Sequence, residues 1–295
     1  MQTIALPQPT TTTDPENASG QAIEQFYNEA TSDYSFWSKD FNMHFGYYRP
    51  FAINPLKRDQ MLNEMNRQIS LRLSLSNEPM LITDMGCGMG GTMRYMLKHY
   101  PRLSCIGVTL SGFQVAHGNR MLKDDKAVIL KEDYCHTSIP TASQDGAVSI
   151  ESFCHVGHSK KALKEAYRIL KQGKKLVIAD AFIKKSPKRM CWGSRNSYSG
   201  ICKGWSLDGL GTINEVAATL AQIGFQHVRV EDISMRVAPS VLHVPFAIPG
   251  FIIKQLWQGK RIKKQSWNNL KASFFSLTAG LHRHAFGYYI ITATK

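Results

Sequence analysis

The sequence predicts an α/β fold, a doubly wound parallel sheet, and three observations carry that prediction. From Met80 onward short apolar runs alternate with helix-periodic stretches, as successive strand–helix–strand units require. The first run, Leu81-Ile82-Thr83-Asp84-Met85, breaks into a glycine cluster at Gly86, Gly88, Gly90 and Gly91 before a helical segment. Glycines at such a turn let the backbone bend sharply and let a ligand reach main-chain N–H groups with no Cβ in the way. The third observation is a closing helix, Thr212 to Ile223, followed by strand-like runs at 228–233 and 286–292.

Each element has a local reason. Gln21 to Ala30 reads as a helix leading into an aromatic stretch, Tyr34 to Phe51. Leu56 to Leu75 reads as a longer helix with Met61, Met65 and Ile69 on one face. Strands are expected at 80–85, 103–109, 127–132, 145–150 and 174–181, and helices at 92–99, 112–123 and 159–171. Gly173 ends the last of these helices, and Gly224 caps the one that begins at Thr212. Lys184 to Leu210 reads as a loop-rich insertion and Val241 to Gly280 as a hydrophobic, basic segment. The expected organisation is a disordered tail over residues 1–19, a helical lid over 20–78, a ligand-binding core over 79–183 and an insertion over 184–212. Residues 213–295 complete the sheet, with a cap at about 238–284.

The 295 residues, 43% of them hydrophobic, suffice for one large domain with a cap. No unbroken run of about 18 apolar residues occurs, so no membrane span is expected. The first seventeen residues lack the charged start and apolar centre of a secretory signal. Six scattered cysteines with no C-x-x-C pair point to reduced cytoplasmic thiols, with neither a disulfide framework nor a metal site. The net charge of +14 is uneven: residues 183–295 hold sixteen Lys/Arg against four acids. Such a bias suits an anionic partner or a solvated basic face. No nucleic-acid motif accompanies it, so nucleic acid is not expected as a partner.

Gly86, Gly88 and Gly91 fit the spacing G-x-G-x-x-G, which several nucleotide ligands share. Asp84, two residues before the first glycine, can face a cationic or amino-bearing ligand. The next strand runs out in Gly107-Val108-Thr109-Leu110-Ser111, with no carboxylate to hold an NAD ribose. S-adenosyl-L-methionine (SAM) is therefore the leading ligand, with S-adenosyl-L-homocysteine as product.

Five segments carry a family resemblance along nearly the whole chain. They are Phe26-Tyr27-Asn28 with His44-Phe45-Gly46-Tyr47-Tyr48, the loop at 84–91, Gly107 to Ser111 with Gln114, Ser149 to His155, and Cys202-Lys203-Gly204-Trp205 with Val237-Ala238-Pro239. Together they resemble the class I SAM-dependent methyltransferases, and more narrowly the γ-tocopherol methyltransferase group with its sterol-methylating and cyclopropane-forming relatives. The resemblance implies a seven-stranded Rossmann-like methyltransferase sheet with an N-terminal lid and a C-terminal cap. It implies that Asp84, Gly86, Cys87, Gly88 and Gly90 surround the methionine part of SAM. Thr109, Leu110, Ser111 and Gln114 would meet the ribose and adenine. Asp133 would accept from the adenine amino group, with Tyr134 beside it, and Tyr27, Tyr34 and Trp37 would close over the cofactor. Gly112 stands where the family often has proline, which loosens the start of the following helix.

For the chemistry, Glu151 is the expected base or cation stabiliser, also within reach of the cofactor, and His155 its partner. His158 reads as a helix cap. His44 and Tyr47 are secondary catalytic candidates. Phe41, Phe45, Tyr48, Trp192 and Trp205 are candidates to line an apolar acceptor pocket. Val244 to Ile253, followed by Lys260-Arg261-Ile262-Lys263-Lys264, suits either a lipid-like, anionic acceptor or membrane surface, or a cap helix packed on the sheet. The expected reaction is C-methylation of a hydrophobic prenyl or terpenoid acceptor, a prenyl diphosphate among them, with cyclisation of the product left open. The alternatives are N- or O-methylation of an aromatic or alkaloid-like metabolite, and SAM binding without catalysis. The expected location is cytoplasmic, with peripheral contact at a membrane surface left open.

Overall fold

The computed structural model describes residues 17–123, 125–155 and 160–295. The expected disordered tail falls outside the described residues as far as residue 16, as does His158. A helix already begins within the rest of it: α1 (Asn17–Ala30) is followed by the short α2 (Tyr34–Trp37) and by α3 (Arg58–Arg72). The core then alternates β1 (Met80–Met85), α4 (Gly91–His99), β2 (Leu103–Thr109), α5 (Gly112–Leu122), β3 (Ala127–Lys131), β4 (Gln144–Ile150), α6 (Lys160–Ile169) and β5 (Leu170–Ile183). The C-terminal part holds α7 (Trp192–Gly204), α8 (Ile213–Ile223), β6 (Gln226–Asp232), α9 (Ser234–Val241), α10 (Val244–Trp257), α11 (Lys264–Leu281) and β7 (Phe286–Thr294).

The seven strands form one sheet in the order β3-β2-β1-β4-β5-β7-β6. The alternation predicts a parallel sheet, but the sheet is mixed: β7 runs antiparallel to both β5 and β6. Strand periodicity records which side chains share a face, not which way the strand runs. The alternation itself holds well. In β5, Leu176, Ile178 and Phe182 face the layer that includes Leu163 and Leu220, whereas Val177 and Ala179 face Met65, Ile69, Met93 and Met96. From β1 the chain winds outward through β2 and β3, then returns to build β4 and β5 on the other side. The resulting crevice lies at the carboxyl ends of β1 and β4, where open α/β sheets bind ligands.

Two further expectations change. The insertion is not loop-rich, since α7 runs for thirteen residues within it. Its glycines serve contact with α11: a Cβ on Gly200 would lie 2.1 Å from the Phe275 ring, and one on Gly204 would lie 2.6 Å from Ala272 Cβ. The stretch Ser234–Trp257, α9 with α10, is long and apolar enough to cross a membrane by length and composition. Arg236, His243 and Lys254 interrupt it, which is why no unbroken apolar run marks it in the sequence.

Candidate active site

A cavity of about 490 Å³ sits at this crevice. Asp84, Gly86, Cys87, Gly88, Thr109, Leu110, Gln114, Asp133 and Tyr134 line it from the sheet side, and Tyr27 from α1. The glycine loop turns through positive φ at Gly86 (+86°), Gly88 (+55°) and Gly90 (+73°), a conformation costly for other residues. Gly90 does not line the cavity; it is the N-cap of α4, and its free side faces Ile129 and Arg94. A Cβ on Gly86 would lie 2.3 Å from Ser152 Cβ. Gly86→Ala should therefore cost on the order of 2 kcal/mol of stability and weaken SAM binding at least roughly tenfold. Thermal melts and titration calorimetry check both.

Asp84, buried at the end of a central strand, has its pKa pushed up to about 7 by loss of water. A cation in the cavity would draw the proton off, so the site fits the amino group of SAM. On the second strand, Thr109 Oγ1 donates to Gln114 Oε1 at 2.6 Å, and Gln114 Nε2 donates to Thr31 Oγ1 at 3.0 Å. Ser111 lies outside the cavity lining. Its hydroxyl donates to Asn28 Oδ1 at 2.6 Å and accepts from Gln114 N–H, so it ties α1 to the N-cap of α5. Asp133 Oδ1 accepts from Cys135 N–H at 2.8 Å, capping its turn, and the residue still borders the cavity.

A second cavity, about 350 Å³, adjoins the first. Tyr27, Met43, His44, Glu151 and His155 line both, so they form the wall between them. Glu151 follows β4 directly and adopts φ +48°, an uncommon left-handed conformation that turns its side chain into this wall. Its Oε1 accepts from Phe45 N–H at 2.6 Å and from the Tyr288 hydroxyl at 2.8 Å. Burial pushes its pKa up to about 8, the Phe45 bond opposes that, and the nearby Asp180 adds to it. His155 is not its partner: His155 Nε2 meets the Tyr27 hydroxyl at 2.7 Å. His155 and His44 are both driven to about 4 by burial and stay neutral, each with one buried ring nitrogen lacking a partner.

The His44-to-Tyr48 segment is a strap. Gly46 N–H donates to Ser240 Oγ at 2.8 Å, Tyr47 N–H to Met61 O at 2.8 Å and Tyr48 N–H to Arg236 O at 2.7 Å. These bonds hold Phe45 N–H against Glu151. The half-buried side chain of Tyr47 packs against the core cluster that holds the α3 face and borders neither cavity, and Tyr48 borders neither. Tyr34 and Trp37 line the second cavity rather than the first, while Phe41 lines the first rather than the second. Phe45 and Trp205 line the second cavity. Trp192 is 83% exposed and borders neither.

Sequence reading missed Asp180, Tyr288 and Asn269, all lining the second cavity. Asp180, buried and raised to about 7, accepts from Cys154 N–H at 2.8 Å and Ala181 N–H at 2.7 Å. The acid itself stands out inside the apolar run of β5, but nothing local places it beside Glu151. Asn269 Oδ1 accepts from the Trp205 indole at 2.9 Å and the Tyr34 hydroxyl at 3.3 Å. Nothing in its local sequence marks it.

Comparison with known proteins places this geometry. The model of a methyltransferase domain matches residues 83–178. A 24-methylenesterol C-methyltransferase of Arabidopsis thaliana is 26% identical over 217 residues, 72% of this chain; the chain spans 58% of that relative's length. A SAM-dependent Diels-Alderase of Talaromyces variabilis is 26% identical over 257 residues, 82% of this chain and 86% of the relative. The structure of the cyclopropane synthase MmaA2 from Mycobacterium tuberculosis superposes with a TM-score of 0.80 at 18% identity, covering 94% of this chain and 98% of that one. Residues 83–178 thus match a methyltransferase domain, and the seven-stranded sheet with a cavity at its crevice makes the chain similar to the SAM-dependent methyltransferases.

Proposed function

We propose that the protein transfers a methyl group from SAM to a carbon of a neutral, hydrophobic prenyl or terpenoid acceptor. The observation that carries this reading is the position of Glu151 in the wall between a cofactor cavity and a largely apolar second cavity. SAM, once bound, supplies an electrophilic methyl group on a positively charged sulfur. The protein's part is to align an acceptor double bond with that methyl from the second cavity. The new carbon–carbon bond leaves positive charge on the acceptor. Glu151, ionised by the positive charge beside it, holds that charge and then takes the proton that restores the alkene.

The lining of the second cavity speaks for a neutral acceptor over a diphosphate. Arg283, at the rim, is the one Lys or Arg side chain among the described residues that line it. A diphosphate would be left without paired cations there. The resemblance to a SAM-dependent Diels-Alderase supports a second reading, cyclisation of the acceptor in the same cavity.

The test is incubation with methyl-labelled SAM and a panel of polyprenyl and terpenoid alkenes, prenyl diphosphates, phenolic lipids and aromatic amines. Label in neutral alkenes, bonded to carbon, is the expected result. Label confined to amines or phenols would overturn C-methylation, and cyclised, unlabelled product would establish the second reading.

A further inference from the structure

α10 is apolar on both sides. Ala247, Ile248 and Phe251 line the acceptor cavity. On the other side Phe246, Ile253, Leu256 and Trp257 are 79%, 59%, 67% and 93% exposed, and their spacing makes one stripe along the helix. The sequence left open whether this helix packs on the sheet or meets a lipid surface, and the exposure of the stripe is what a packed cap helix would not show. The neighbouring α11 carries Lys264, Trp267, Lys271 and Phe274 at spacings of three and four, all exposed, and the joining loop adds Lys260, Arg261 and Lys263. At the mouth of the cavity Met235, Leu242 and Leu281 both line it and stand exposed.

Each stripe side chain is worth about 1.5–3 kcal/mol when taken out of water, so an occupant is favoured. The charge says which one. With a net charge of +14, most of it in residues 183–295, a second copy would bring like charges face to face, whereas an anionic surface is complementary. The segment is also fixed to the fold, through Gly46 N–H on Ser240 Oγ and Tyr48 N–H on Arg236 O. It can therefore lie in an interface but not thread through one.

We propose that α10 and α11 dock the protein on an anionic lipid bilayer, with the mouth of the acceptor cavity facing the hydrocarbon. This rests on the reading that the cavity takes a hydrophobic acceptor, but docking is measured without turnover. The experiment is flotation of the full chain with phosphatidylcholine vesicles, with and without phosphatidylserine. Partition into the phosphatidylserine vesicles, weakened by salt, is expected. Ile253→Asp with Trp257→Asp should lower it about tenfold or more. Lys260→Ala with Arg261→Ala should do the same through charge. Both variants should bind SAM as the parent does, which separates docking from folding. Partition that ignores phosphatidylserine, or that survives both pairs of substitutions, overturns the proposal. So does a concentration-dependent dimer, seen by sedimentation, that the apolar substitutions dissolve. Vesicle binding as expected, with no labelled prenyl or terpenoid product, leaves docking standing and overturns the acceptor reading alone.

Discussion

Glu151→Gln is expected to lower C-methylation by about 10²- to 10³-fold in kcat while changing SAM affinity only a few-fold. The substitution is nearly isosteric. A glutamine carbonyl oxygen can still accept from Phe45 N–H and from Tyr288, so the strap and the last strand keep their anchor. What disappears is the negative charge and the basicity. The pH profile gives an independent reading. Glu151 sits near 8 before the cofactor arrives, so the positive charge in the adjoining cavity has to bring its pKa down for it to act as a base. The parent should therefore gain rate as pH rises through the neutral range, and the glutamine variant should lose that dependence. Tyr288→Phe removes one of the two bonds to the carboxylate and should cost about tenfold, with the pH profile moved upward. Single-turnover rates of label transfer at several pH values measure all of this. Full activity in Glu151→Gln would point to an acceptor that loses no proton to this carboxylate, such as an amine.

The part of this arrangement that was legible in the sequence is the part set by local chemistry. The glycine loop was readable because Gly86 and Gly88 need positive φ, and helix α8 because Thr212 accepts from Glu215 N–H at one end and Gly224 turns left-handed at the other. Asp84 and Glu151 were readable because each is an acid at the end of an apolar strand. The partners of Glu151 were not, because they come from long-range pairing. β5 and β7 register Asp180 against Tyr289, which brings Asp180 and Tyr288 beside the carboxylate from 29 and 137 residues away. His155, four residues on, looked closer in sequence but turns toward α1. Tyr47 shows the same limit in reverse. Its motif is informative, yet what serves the site is the backbone of that strap, while the half-buried ring packs against the core. α7 was missed because a stretch so rich in glycine and serine has little helix propensity of its own; its packing on α11 supplies what the residues lack.

The other large effect concerns Asp84, and its sign follows from burial. With its pKa pushed up to about 7 from the ordinary 3.8, the carboxyl is about half protonated near neutrality. A raised folded-state pKa means that the folded form holds a proton the unfolded chain has released. The stability from this group is fully present below about pH 4 and is lost as pH climbs through 7, a total on the order of 4 kcal/mol. The ligand reverses that penalty. An amino group placed against Asp84 pairs with the carboxylate, so SAM affinity should rise about tenfold from pH 6 to pH 8 as the carboxylate forms, then level off. The stabilisation that SAM gives in a thermal melt should grow over the same interval. Asp84→Asn should weaken SAM binding on the order of 10²-fold at pH 8 and flatten its pH dependence, since the amide neither pairs with a cation nor titrates. The same variant without SAM should be more stable than the parent at pH 8, because it no longer carries a buried charge that lacks a partner. Loss of affinity together with gain of stability in one variant separates a ligand-binding carboxylate from a structural one. An Asp84→Asn protein that binds SAM as tightly as the parent at pH 8 would remove Asp84 from the cofactor site.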